Sequence, residues 1–333
     1  MLYPTPLSPG DRVALVGPSG PVPPERVQPA VDAVKALGLE PVLYPSATAA
    51  HGYLAGEDRQ RAQDLTDAFL DGSIQGILCI RGGYGAQRML PCFQPEAAIS
   101  HPKVFCGYSD VTAIHSLLNQ TGEGLVTFHT PMPSTEWYKG LDGYTMQSMK
   151  GLLFCPWSQW KPLENAPGSP PPEVIVPGEA FGTLRGGNLS LVASSIATPW
   201  EVDTNGAVLF LEDVGERPYR LDGMLTHLRN SGRLERCAAV LLGYFTDCQA
   251  EDPARSLTIP EVIREVVEPV CRERGIPLVA GLTCGHSLPT MSLPLGSGIL
   301  VQAGADGAVA LKFSRIIGEG RAVVEIEIGE ERK

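Results

Sequence analysis

Apolar residues along the chain follow two rhythms. Uninterrupted short runs at Arg12 to Val16, Glu40 to Tyr44, Ile74 to Ile80, Val104 to Cys106 and Leu125 to Phe128 have the length and composition of buried strands. Between them the apolar residues recur three and four apart. Val27, Ala30, Val34 and Leu37 predict a helix stopped by Gly38, Ala62, Leu65 and Phe69 predict one over 59–70, and Ala113, Ile114, Leu117 and Leu118 predict one after residue 112. Such alternation of strand and helix implies a parallel, doubly wound, flavodoxin-like sheet. The rhythm fails between Trp157 and Pro177, where six prolines gather without periodicity. Residues 156–180 therefore read as a Pro-rich linker between an N-terminal domain, 1–155, and a C-terminal domain, 181–333.

Beyond the linker, Ala207 to Leu211 is a strand that ends at Glu212 and Asp213, and Leu221, Met224, Leu225 and Leu228 give the following helix its apolar face. Cys237 to Leu242 is a strand, Ile259 to Arg274 a helix opened by Pro260, and Pro277 to Ala280 leads into a glycine-rich turn holding His286. Short runs at Gly298 to Gln302, Ala308 to Phe313 and Ala322 to Ile328 make this second domain a smaller, β-rich α/β unit.

Loops at the carboxyl ends of parallel strands are where open α/β sheets bind ligands, so the polar residues there are the candidates for chemistry. Gly17-Pro18-Ser19-Gly20 has neither the glycine spacing of a dinucleotide fingerprint nor the lysine of a P-loop. Arg81-Gly82-Gly83-Tyr84-Gly85 has three glycines in five residues, which lets the backbone approach whatever lies opposite. Gly107-Tyr108-Ser109-Asp110-Val111-Thr112 sits between a strand and a helix. That placement holds the Ser109 hydroxyl above the sheet edge, as in a Gly-x-Ser-x-Gly nucleophile elbow, although Val111 replaces the second glycine. The same pattern also describes a helix N-cap.

A formal net charge of -11 argues against nucleic-acid or membrane partners, since no long basic run offsets it. Neither a basic leader with an apolar core nor a run of about 18 apolar residues is present, which points to a cytoplasmic protein. The eight cysteines lack a Cys-x-x-Cys pair and read as free thiols, and the six histidines lack ligand spacing, so neither metal nor cofactor is expected.

Taken together, Arg81 to Gly85, Gly107 to Thr112, Gly186-Gly187-Asn188-Leu189, Leu211-Glu212-Asp213-Val214-Gly215-Glu216 with Pro218-Tyr219-Arg220, and Gly285-His286 with Leu293-Pro294-Leu295-Gly296 strongly resemble the LD-carboxypeptidase family. The resemblance runs from about residue 10 to residue 315. It implies a serine carboxypeptidase with Ser109 as nucleophile, His286 as general base and Glu212 as the acid that holds the imidazole. Asp213 and Glu216 stand close enough in sequence to compete with Glu212, and His129 competes with His286. The backbone N–H of Asp110 and that of Gly83, or its neighbour Gly82, are the expected oxyanion donors. A carboxypeptidase must read a terminal carboxylate; Arg185 is the nominee among Arg81, Arg88, Arg185 and Arg220, with Asn188 a second candidate contact.

The implied substrate is a murein tetrapeptide that loses its terminal D-alanine, and the implied assembly is a homodimer. Microcin C immunity peptidases share the family, so a peptidyl-nucleotide toxin is the alternative substrate, with Trp157 and Trp160 able to stack on a base. A non-catalytic α/β ligand-binding protein is the alternative of another class.

Overall fold

The computed structural model describes residues 1–314 of the chain. The expected strand at Ala322 to Ile328 lies outside the described residues. Five strands alternate with helices through the first half: β1 Arg12–Val16, β2 Glu40–Leu43, β3 Gly76–Cys79, β4 Val104–Gly107 and β5 Thr127–His129. They pair in parallel in the order 2-1-3-4-5, the flavodoxin-like arrangement. Val13, Leu15, Leu78, Val104 and Cys106 pack on one face of the sheet, and Ala14, Val16, Ile77, Cys79 and Phe105 on the other. Because helices cover both faces, the central strands β3 and β4 are buried at every position, which is why their runs are so apolar in the sequence.

The second half builds a seven-stranded sheet from β6 Glu173–Val176, β7 Gly178–Asn188, β8 Ala207–Val214, β9 Ala239–Thr246, β10 Leu278–Ala280, β12 Gly298–Ala303 and β13 Val309–Ser314. Strands β7 to β10 run parallel, and β6, β12 and β13 close the two edges antiparallel. Alternate residues again serve two buried faces: Leu209, Leu211, Val240 and Leu242 on one, Val208, Phe210, Ala239 and Leu241 on the other. Each buried Val, Leu or Phe among them contributes about 1.5–3 kcal/mol through burial.

Three features differ from the sequence expectation. The stretch 156–180 is not a free linker, because Glu173–Val176 pairs with β10 and β7 already begins at Gly178. The helix expected over 259–274 is interrupted by a π turn at Ile263–Val267. Pro269 follows that turn and brings no N–H to the helical ladder, so the wider turn accommodates the missing donor. Finally, β11, Leu293–Leu295, leaves the second half and pairs antiparallel with β5 at the edge of the first sheet. The units are joined again where the Asn188 N–H donates to Thr112 Oγ1 at 3.0 Å, just after the Ser109 turn. A side chain at Gly187 would lie 2.6 Å from that same oxygen, so glycine is required for the approach.

Candidate active site

Ser109 follows β4 on a single 3-10 turn, Ser109–Val111, that opens the helix Thr112–Leu118. Its φ is +63°, a left-handed conformation that a serine adopts only where its surroundings enforce it. Gly107 permits the turn, since a Cβ there would meet Val111 at 2.9 Å and Cys79 at 3.0 Å. Val111 itself is fully buried, so the missing second glycine of the elbow is replaced by a core contact. Ser109 Oγ faces the glycine-rich loop after β3: a Cβ on Gly82 would stand 3.1 Å from Ser109 Cβ and 3.4 Å from Oγ. The Asp110 carboxylate anchors that loop by accepting the Ala86 N–H at 2.7 Å. Gly20, in the loop after β1, supports it from behind by donating its N–H to the Gly82 carbonyl at 3.0 Å, a structural task for the Gly17–Gly20 loop.

Glu212 and His286 meet on the opposite wall. The strand expected to end at Leu211 continues to Val214, so Glu212 and Asp213 lie within β8, both buried. Opposite them the β8–β9 register slips between Leu211 and Asp213, a bulge of the kind that re-aims side chains beside active sites. Glu212 Oε2 accepts from His286 Nδ1 at 2.6 Å. Gly285 makes room for this bond, since a Cβ there would lie 3.0 Å from Oε2. Burial disfavours a charged imidazole, but the Glu212 carboxylate outweighs it and raises the His286 pKa above its ordinary 6.5. Burial likewise pushes the Glu212 carboxyl upward, against the pull of His286. With Nδ1 donating to the carboxylate, Nε2 carries a free lone pair. Among the described residues no hydrogen bond yet joins Ser109 to that ring.

The competing acids are committed elsewhere. Asp213 accepts from Asn188 Nδ2 at 3.0 Å and from the Ser190 N–H and hydroxyl at 2.9 and 2.7 Å, while Glu216 pairs with Arg220 at 2.7 Å. His129 is fully buried between Tyr108 and Phe210, both ring nitrogens lack a partner among the described residues, and burial drives its pKa well below the ordinary value. It has no carboxylate to orient it.

Other expectations are redrawn. Gly83 is exposed and a Cβ on it would face Gly20, so Gly82 is the loop residue against Ser109. Arg185 lies three positions before Asn188 in β7, where burial lowers its pKa against the pull of Asp203, ahead of β8. Asn188 caps the helix Leu189–Ser194 and holds Asp213, a supporting place in the ladder directly beside Glu212. Arg81 donates to the Pro21 carbonyl, and Arg88 pairs with Asp58. Trp160 packs on Tyr3, Phe128 and Phe313 and donates to the Cys155 carbonyl, and Trp157 lies against Tyr3, so both are packing residues. Sequence reasoning missed Tyr108 and Glu136. The Tyr108 ring lies 4.6 Å from that of His286 and its hydroxyl donates to Glu136 at 2.7 Å; the tyrosine's place before Ser109 was the one available signal.

Fold and site define an α/β protein with a strained serine at one sheet edge and a carboxylate-oriented histidine at the other. The chain matches the LD-carboxypeptidase N-terminal domain over residues 13–130 and the LD-carboxypeptidase C-terminal domain over 181–301. It is 36% identical to the probable murein peptide carboxypeptidase of Bacillus subtilis (strain 168) over 301 residues, which cover 88% of this chain and 89% of that one. The muramoyltetrapeptide carboxypeptidase of Oxalobacter formigenes superposes with a TM-score of 0.77 at 28% identity, covering 91% of this chain and 98% of that one. The microcin C7 self immunity protein MccF superposes with a TM-score of 0.81 at 22% identity, covering 96% and 100% of the two chains, which shows a shared fold. The chain belongs to the LD-carboxypeptidase family, and it is a peptidase. Among the described residues no helix is long and apolar enough to cross a membrane.

Proposed function

We propose that this peptidase is a serine carboxypeptidase that releases the terminal D-alanine of murein tetrapeptides by way of an acyl-enzyme. The observation that carries the reading is the buried Glu212–His286 pair, 2.6 Å long, in one fold with a serine held at φ +63° whose neighbour Tyr108 lies against the imidazole. His286 Nε2 takes the Ser109 proton as Oγ attacks the carbonyl carbon of the penultimate residue. The oxyanion that forms accepts from the backbone N–H groups of Asp110 and the Gly82-Gly83 loop, which are fixed before substrate arrives. When the C–N bond breaks, imidazolium Nε2–H protonates the departing amine of D-alanine. Water then attacks the Ser109 ester with His286 again as base, and the peptide leaves as its free acid. Substrate binding closes the remaining gap between Ser109 and His286. A homodimer working in the cytoplasm belongs to the same reading.

The names of the relatives support murein peptide as substrate, and the packed state of Trp157 and Trp160 removes the two residues that would have favoured a nucleotide base. The test offers the protein a defined murein tetrapeptide and a peptidyl-adenylate in separate reactions. Free D-alanine from the first, with the second intact, is expected; turnover of the adenylate alone would transfer the protein to the immunity reading, and turnover of neither would leave the non-catalytic binding protein.

A further inference from the structure

His286 is touched by more than Glu212. Tyr108, 6% exposed, lays its ring against the imidazole at 4.6 Å and 48°, and meets His129 edge-on at 5.5 Å. The wedged ring is tied down at its far end, where its hydroxyl donates to Glu136 Oε1 at 2.7 Å. Glu136 Oε2 in turn accepts the Met132 N–H at 2.9 Å and the Thr135 hydroxyl at 2.5 Å. Three donors on one carboxylate fix its orientation, and a half-buried carboxylate so held projects its field in a set direction. Met132 also touches the glycine loop, its Cε standing 3.2 Å from where a Gly82 Cβ would be. The Glu136 turn therefore braces both the histidine and the wall beside Ser109.

We infer that Glu136, acting through Tyr108, is a positioning residue for His286: it locks the tyrosine ring against the imidazole and supplies a second carboxylate from the first unit, facing the one that Glu212 supplies from the second. The base is thereby held by both halves of the molecule, and its proton affinity depends on their being docked. The charges that act on the ring are Glu212 and Asp213 from β8 and Glu136 from the turn after β5, while burial keeps the neighbouring His129 neutral. Asp213 is bound by Asn188 and Ser190 within the second unit, and Glu136 is the carboxylate that the first unit contributes. Tyr108 stays protonated, since burial and the neighbouring Glu136 push its pKa well above the ordinary value, and so remains a donor.

The rate part of this inference rests on the serine-hydrolase reading; the titration part does not. The full chain with 15N-labelled histidine is titrated by NMR, the His286 signal being assigned from its loss in His286→Gln. Glu136→Gln is expected to lower the His286 midpoint by about half a pH unit or more, and Tyr108→Phe, which keeps the ring but releases the carboxylate, by less in the same direction. The acid limb of fluorophosphonate labelling at Ser109 should move by the same amounts. An unmoved midpoint in Glu136→Gln, with labelling lowered equally at all pH values, would overturn the inference by reducing Glu136 to a packing residue. If the midpoint shifts but native protein is never labelled, the positioning stands and the serine-hydrolase reading falls.

Discussion

Glu212→Gln separates the catalytic value of the buried carboxylate from its structural cost. The side chain is fully buried, Oε2 lies 2.6 Å from His286 Nδ1, and Oε1 has no hydrogen-bond partner among the described residues. Opposite unit charges at that separation attract by about 6 kcal/mol at an effective dielectric constant near 20. Withdrawing the two ions from water costs several kcal/mol each, so the pair adds little net stability. Glutamine preserves the shape, and the partner left behind is a histidine that can shed its proton, so no unpaired charge is stranded. Stability is therefore expected to change by no more than about 1–2 kcal/mol. Catalysis should respond differently. An amide that donates to Nδ1 reverses the tautomer and leaves Nε2 protonated, which removes the base, and a kcat loss of about 10³–10⁴ is expected. Urea unfolding midpoints and D-alanine release, followed through D-amino acid oxidase, measure the two quantities on one preparation. A kcat within tenfold of native, or a loss of activity that merely tracks unfolding, would refute the reasoning.

Gly82→Ala places a methyl 3.1 Å from Ser109 Cβ and 3.2 Å from Met132 Cε; fluorophosphonate labelling of Ser109 should fall at least about tenfold while the unfolding midpoint moves by less than about 1 kcal/mol equivalent. Because catalysis needs neutral His286 and Glu212 raises its pKa, kcat/KM should fall as pH drops through a value above 6.5, and in Glu212→Gln any residual limb should lie lower; a native limb below 6.5 would contradict this. Arg185→Ala should leave KM for the tetrapeptide within about twofold, since the charge acting on Arg185 is that of Asp203; a KM rise of tenfold or more would establish it as the carboxylate reader.

The first sheet was legible because its central strands are buried on both faces, so the run Gly76 to Ile80 carries no polar residue to blur it. Glu212 and His286 were legible as residues in motifs, but their meeting was not. It depends on a register slip between β8 and β9 and on Gly285 standing aside, and neither leaves a local pattern. Strand β6 was hidden by the prolines that flank it: Glu173–Val176 is four residues long and only its last is buried. Gly83 was nominated beside Gly82 because sequence shows which residues are permissive and not which one faces the serine. Arg185 was nominated only for its place beside a motif loop, because strand alternation gives a side chain's face only once the neighbouring elements are known. Glu136 carries no motif at all, and it acquires a role only when the turn after β5 folds against Tyr108.

The central claim is that Ser109 is the nucleophile of a D-alanine-releasing peptidase. Its most direct measurement treats the native protein with a fluorophosphonate, maps the adduct by mass spectrometry, and follows D-alanine release from a murein tetrapeptide on the same samples, with Ser109→Ala alongside. One label per chain, on Ser109, with release lost in proportion and absent in the variant, is the predicted result. A label elsewhere, or release that survives in Ser109→Ala, would contradict the account.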